Sequence, residues 1–75
     1  DLKARQLIEA RTEADAILHA TDKALERGSH LVTEDEVRTI RAAADALRRA
    51  KAGEDHKAIR SQIAELETVT HHLAE

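Results

Sequence analysis

Proline is absent from this 75-residue chain, and its only two glycines stand at positions 28 and 53. Between those breaks apolar residues recur every three or four positions, the period of one face of an α-helix. Leu7, Ala10, Ala14, Ile17, Leu18, Thr21 and Leu25 draw the first stripe. Val37, Ile40, Ala44 and Leu47 draw the second; Ile59, Ile63, Leu66, Thr70 and Leu73 draw the third. A chain punctuated in this way is predicted to form helices over about 2–27, 34–51 and 55–74. Links this short force antiparallel neighbours, so the fold class is all-α, a three-helix up-down-up bundle forming one domain over residues 1–75.

The helix ends carry their own signals. Gly28 is expected to close the first helix in a left-handed conformation, just after Lys23 and Arg27, whose charge suits a C-terminal dipole. In "LVTEDEV" Thr33 and Glu36 form a capping box, with Val32 and Val37 placed as the hydrophobic staple. Asp55, two residues past Gly53, is the natural cap of the third helix.

Composition sets the depth of the core. Of 31 hydrophobic residues 15 are alanine, leaving eight Leu, five Ile and three Val. At ~1.5–3 kcal/mol for each large aliphatic fully buried, that core is thin, and alanine must add helix propensity to it. The chain has no aromatic residue, so platforms for stacking bases, sugars or flat cofactors are missing. A formal charge of −3 argues against nucleic acid as a partner, and no apolar run approaches a membrane span. Without cysteine there is neither a disulfide nor a thiolate metal site. Methionine is absent even at position 1, which suggests a fragment or a processed product.

Helix lengths differ, and this locates a candidate contact. The second helix runs back beside the first and should stop near Ala10. Residues 1–9 would then overhang the bundle, leaving Leu2, Leu7 and Ile8 as a candidate contact for a partner or a second copy. Ile8, Asp15, His19 and Asp22 fall within about 60° of one another, at 100° per residue, and to one side of the core stripe. A solvated face with one stray isoleucine and a docking face both fit this pattern.

Metal and catalytic readings have less to stand on. Asp15 with His19, and Glu67 with His71, are i, i+4 pairs that supply two ligands each, and no Glu-x-x-His repeat of the di-iron type is present. His71 and His72 are adjacent and face different ways; His30 lies in a loop and His56 at a helix start. No nucleophile–base constellation and no glycine-rich phosphate loop occurs. Arg38, Arg41, Arg48 and Arg49 share their helix with Glu34, Asp35, Glu36 and Asp45, which reads as a solvated, salt-bridged face.

The residues also carry a resemblance. "EADAILHATDKALE", "LVTEDE", "IRAAADALRRAKAGEDHKAIRSQIAELE" and "HHLAE" together resemble the C-terminal helical lid of the DnaK-type 70-kilodalton heat-shock chaperones. The most specific parts are Ala14, Asp15, Leu18, His19, Ala20, Thr21, Lys23 and Leu25, and the "GEDHKAI" turn from Gly53 to Ile59. The resemblance implies a cytoplasmic lid that closes over a β-sandwich domain holding an unfolded polypeptide client. It implies an ATPase domain elsewhere in the parent chain, no cofactor in this segment, and no enzyme activity of its own. By alignment Asp15 and His19 match an aspartate and a histidine that latch the family's lid helix to its β-sandwich. "ARQLIEARTEA" is more similar to the HscA branch, which implies an iron–sulfur scaffold protein as client and a J-domain co-chaperone as partner. General DnaK is the other branch, and a free-standing helical dimerisation module is the competing class.

Overall fold

The computed structural model describes residues 1–28 and 32–74, and for 72–74 the backbone only. Three helices follow one another: α1 (Leu2–Gly28), α2 (Glu34–Ala52) and α3 (His56–Ala74), and there is no strand among the described residues. His30, and the side chains of His72 and Leu73, lie outside the described residues.

Each start is capped as its sequence dictates. The Glu36 amide donates to Thr33 Oγ1 at 3.2 Å, and the Thr33 amide returns a bond to Glu36 Oε1 at 3.2 Å, completing the capping box of α2. Asp55 Oδ1 accepts from the amides of Lys57 at 3.0 Å and Ala58 at 3.4 Å, taking up free donors at the start of α3. The ends differ from expectation. No glycine adopts a positive φ; Gly28 is the last helical residue of α1, and Gly53 is extended at φ −85°, ψ −172°. Glycine permits the left-handed turn without requiring it. At Gly53 the amide donates to the Ala50 carbonyl at 3.0 Å, and a Cβ there would meet that oxygen at 3.3 Å.

The core joins one face of each helix: Ala10, Ala14, Leu18 and Thr21 from α1, Ile40, Ala43, Ala44 and Leu47 from α2, Ile59, Ile63 and Leu66 from α3. Leu47, Ile59 and Leu66 are its largest fully buried side chains, so α2 and α3 supply the bulk, while α1 contributes small residues around Leu18. The α2–α3 contact is accordingly the most extensive, and α1 rests more on α3 than on α2. Thr21 is the one buried polar residue described in this core, and its hydroxyl donates to the Ile17 carbonyl at 2.8 Å, so burial leaves nothing unpaired.

α1 outruns its neighbours. The link between α2 and α3 sits against α1 at Arg11, whose Nε donates to the Lys51 carbonyl at 3.0 Å and whose Nη2 donates to that of Gly53 at 2.7 Å. Leu2 and Ile8 remain 69% and 63% exposed. Leu7 departs from the expected overhang: it is half-buried and packs on the core, and Gln6 beside it is half-buried too, so cover begins before Ala10. The reason is angular, since Leu7 lies on the core stripe and Ile8, 100° further round, does not.

A candidate docking flank on the first helix

Asp15, His19 and Asp22 all project from the exposed side of α1 that borders α2. Their helix is rigid there because Ala14, Leu18 and Thr21, interleaved with them at helical spacing, are buried. The structure thus places the two residues singled out in the sequence one turn apart on one face, as their i, i+4 spacing requires.

Their surroundings differ. The Lys51 ammonium, from the last turn of α2, donates to Asp15 Oδ1. Arg48, one turn earlier on α2, places Nη2 3.2 Å from Asp22 Oδ1 and Nη1 3.0 Å from Asp45 Oδ1. His19 stands between the two acids, exposed, with no hydrogen bond or ion pair to the described residues. A neutral imidazole can offer one donor and one acceptor, and the carboxylate beside it offers acceptors only. The pair is suited to meeting polar groups of another surface.

On the opposite flank, Glu13 meets Arg60 of α3 at 2.9 Å. Exposed pairs such as these contribute about 0–1 kcal/mol each. Among the described residues no three His, Asp or Glu side chains gather where a metal could be held. No described helix is long and apolar enough to cross a membrane.

Lys51 and Arg11 escaped the sequence reading as parts of this region. A coarse signal was available for their neighbourhood, though not for the pairings themselves. Once α2 is expected to end near Ala10, its last-turn cation must lie beside the polar residues at 11–15 of α1.

Ile8 continues the flank beyond the bundle, two turns before Asp15 on the same line, while Leu2, exposed near the free end, lies round toward the Glu13 side. The flank therefore presents apolar contact toward its free end and polar contact where the bundle begins.

Comparison with known proteins adds a history to this geometry. The Hsp70 protein family model matches residues 1–75. The "Chaperone protein HscA homolog" of Azoarcus sp. (strain BH72) is 42% identical over 74 residues, 99% of this chain and 12% of that protein. That of Cupriavidus taiwanensis is 39% identical over the same span, and the "Chaperone protein HscA" of Klebsiella pneumoniae (strain 342) is 38% identical, each again with 99% of this chain and 12% of the relative covered. The chain thus spans about an eighth of the length of these curated relatives. No solved structure matches it significantly.

Proposed function

The chain belongs to the Hsp70 family, and on that premise we propose that its 75 residues are the helical lid of the parent chaperone's substrate-binding domain. The lid closes over an unfolded polypeptide held by a β-sandwich domain of the same chain, in the cytoplasm. ATP acts from a separate ATPase domain, and the lid itself performs no chemistry. Relatives named as HscA support the HscA branch over general DnaK. On that branch the client is an iron–sulfur scaffold protein, delivered with a J-domain co-chaperone.

The observation that carries the reading is the continuous flank of α1. Ile8 is exposed beyond the bundle, and Asp15 and His19 follow it on the same line where the bundle begins. A lid needs a lever that extends past its own bundle and a polar latch that holds it shut. Leu2 and Ile8 suit the first role, and Asp15 with His19 suit the second.

The test is release of a labelled peptide from the ADP-bound full-length chaperone, wild type against Asp15→Ala with His19→Ala. Hydrogen bonds to charged groups contribute roughly 1.5–3 kcal/mol, and most such changes appear in the off-rate. Release should therefore accelerate by about tenfold or more, since 1.4 kcal/mol is about a factor of ten. Thermal melts of the 75-residue chain should barely move, because both side chains lie outside the core. Unchanged release with an intact melt would return this flank to plain solvated surface. If the same chain instead dimerised through Leu2 and Ile8 with no effect of the latch variants, the free-standing helical module would be the better account.

A further inference from the structure

A latch works only with atoms that are available, and one of the two carboxylate oxygens of Asp15 is already in use. Lys51 Nζ occupies Asp15 Oδ1 from the last turn of α2. The Lys51 side chain is 35% exposed against 60% for that of Asp15, so it is the more enclosed partner. Its backbone is fixed as well. Arg11, one turn before Asp15 on α1, holds the Lys51 and Gly53 carbonyls through Nε and Nη2 at 3.0 and 2.7 Å. Those bonds direct the Arg11 guanidinium to the end of α2 and tie the helix end that carries Lys51 against α1.

We infer that Lys51 is a built-in competitor for Asp15, so that the docking contact of a closing lid forms on a carboxylate whose charge this ammonium already partly meets. The inference rests on reading Asp15 as a latch residue. Any donor arriving from the β-sandwich meets a carboxylate whose charge is already partly met, and a cationic donor also meets the repulsion of Lys51. His19 carries no such partner among the described residues, and Asp22, the other acid on the line, is held by Arg48. The flank therefore holds one open contact and one discounted contact, which keeps closure weaker than its residues alone would make it. A lid that must reopen on each cycle benefits from that discount.

A double-mutant cycle in the full-length chaperone tests this, with release of a labelled peptide in ADP as the readout. The variants are Lys51→Met, Lys51→Gln, Asp15→Asn, and each Lys51 change combined with Asp15→Asn. Both Lys51 changes should slow release by about two- to fivefold, the range open to an exposed ion pair. Neither should have an effect once Asp15 is Asn, and Asp15→Asn should accelerate release more in their background than in the wild type. Release that is unchanged or faster in the Lys51 variants, with Asp15→Asn still accelerating it, overturns the competitor and leaves the latch standing. Slowing by Met alone, without Gln, assigns the effect to apolar surface and overturns it too. No acceleration by Asp15→Asn in either background sinks the latch, and the inference with it.

Discussion

The two stretches of α1 are covalently one helix and physically two different objects. From Ala10 to Thr21 it places Ala10, Ala14, Leu18 and Thr21 in the core and is tied laterally through Arg11, Glu13 and Asp15. From Leu2 to Arg5 the same helix has hydrogen-bonded backbone and good helix formers, with almost nothing packed upon it. Helix propensity alone does not sustain so short a stretch in water, so the free end is helical because the bundled stretch nucleates it. Burial is thereby confined to one part of a single rod. The bundled part sets folding, and the free part is available for contact.

The comparison can be broken most severely at Leu18. Leu18→Ala should lower stability by ~2–5 kcal/mol, enough to approach unfolding in a domain whose whole stability is of order 0.05–0.15 kcal/mol per residue. Urea denaturation of the chain followed by circular dichroism measures it. Ala14 is 0% exposed, and Ala14→Leu should overpack the helix contact at a loss of about 1–3 kcal/mol in the same assay. Arg11 stands at the border. Arg11→Met loses two bonds to carbonyls at the end of α2 and should cost about 1 kcal/mol, a fall in melting temperature of roughly 4–8 °C. The smallest effect belongs to the free end: Ile8→Lys should stay within about 0.5 kcal/mol of wild type while weakening any contact made there. Unfolding by Ile8→Lys would mean that Ile8 is a core residue, and the division of α1 would be wrong.

Much of this was legible in the sequence, for reasons that particular residues make plain. The capping box at Thr33 and Glu36 is a local device, and local devices are written in adjacent letters. The stripes at Leu18, Leu47, Ile59, Ile63 and Leu66 follow helical period, which needs no partner to be read. Ala43 was missed because "RAAADA" offers an alanine on every side, so spacing cannot choose which one is buried. Arg11 was missed because its partners are backbone carbonyls on another element, and carbonyls have no letter. The exposed position of Asp15 and His19 beside the core stripe followed from angle alone. The pairing of Asp15 with Lys51 did not, because it depends on where two helices come to lie against each other.

The alanine-lined side of α1 has one more consequence. Ala10 and Ala14 let neighbouring helices approach closely, but methyl groups spaced a turn apart look alike after a slide of one turn. Between Leu7 and Ile17 the rail is smooth, so this part of it fixes separation and marks lengthwise position only weakly. Arg11 on the Lys51 and Gly53 carbonyls, Glu13 on Arg60, and Asp15 on Lys51 are grouped within five consecutive residues of that rail. They act as a vernier. Weak as each is in energy, a shift by one turn, about 5.4 Å, would misalign all of them together. The length of lever left protruding from the bundle is thus metered by polar contacts, while the core holds it close.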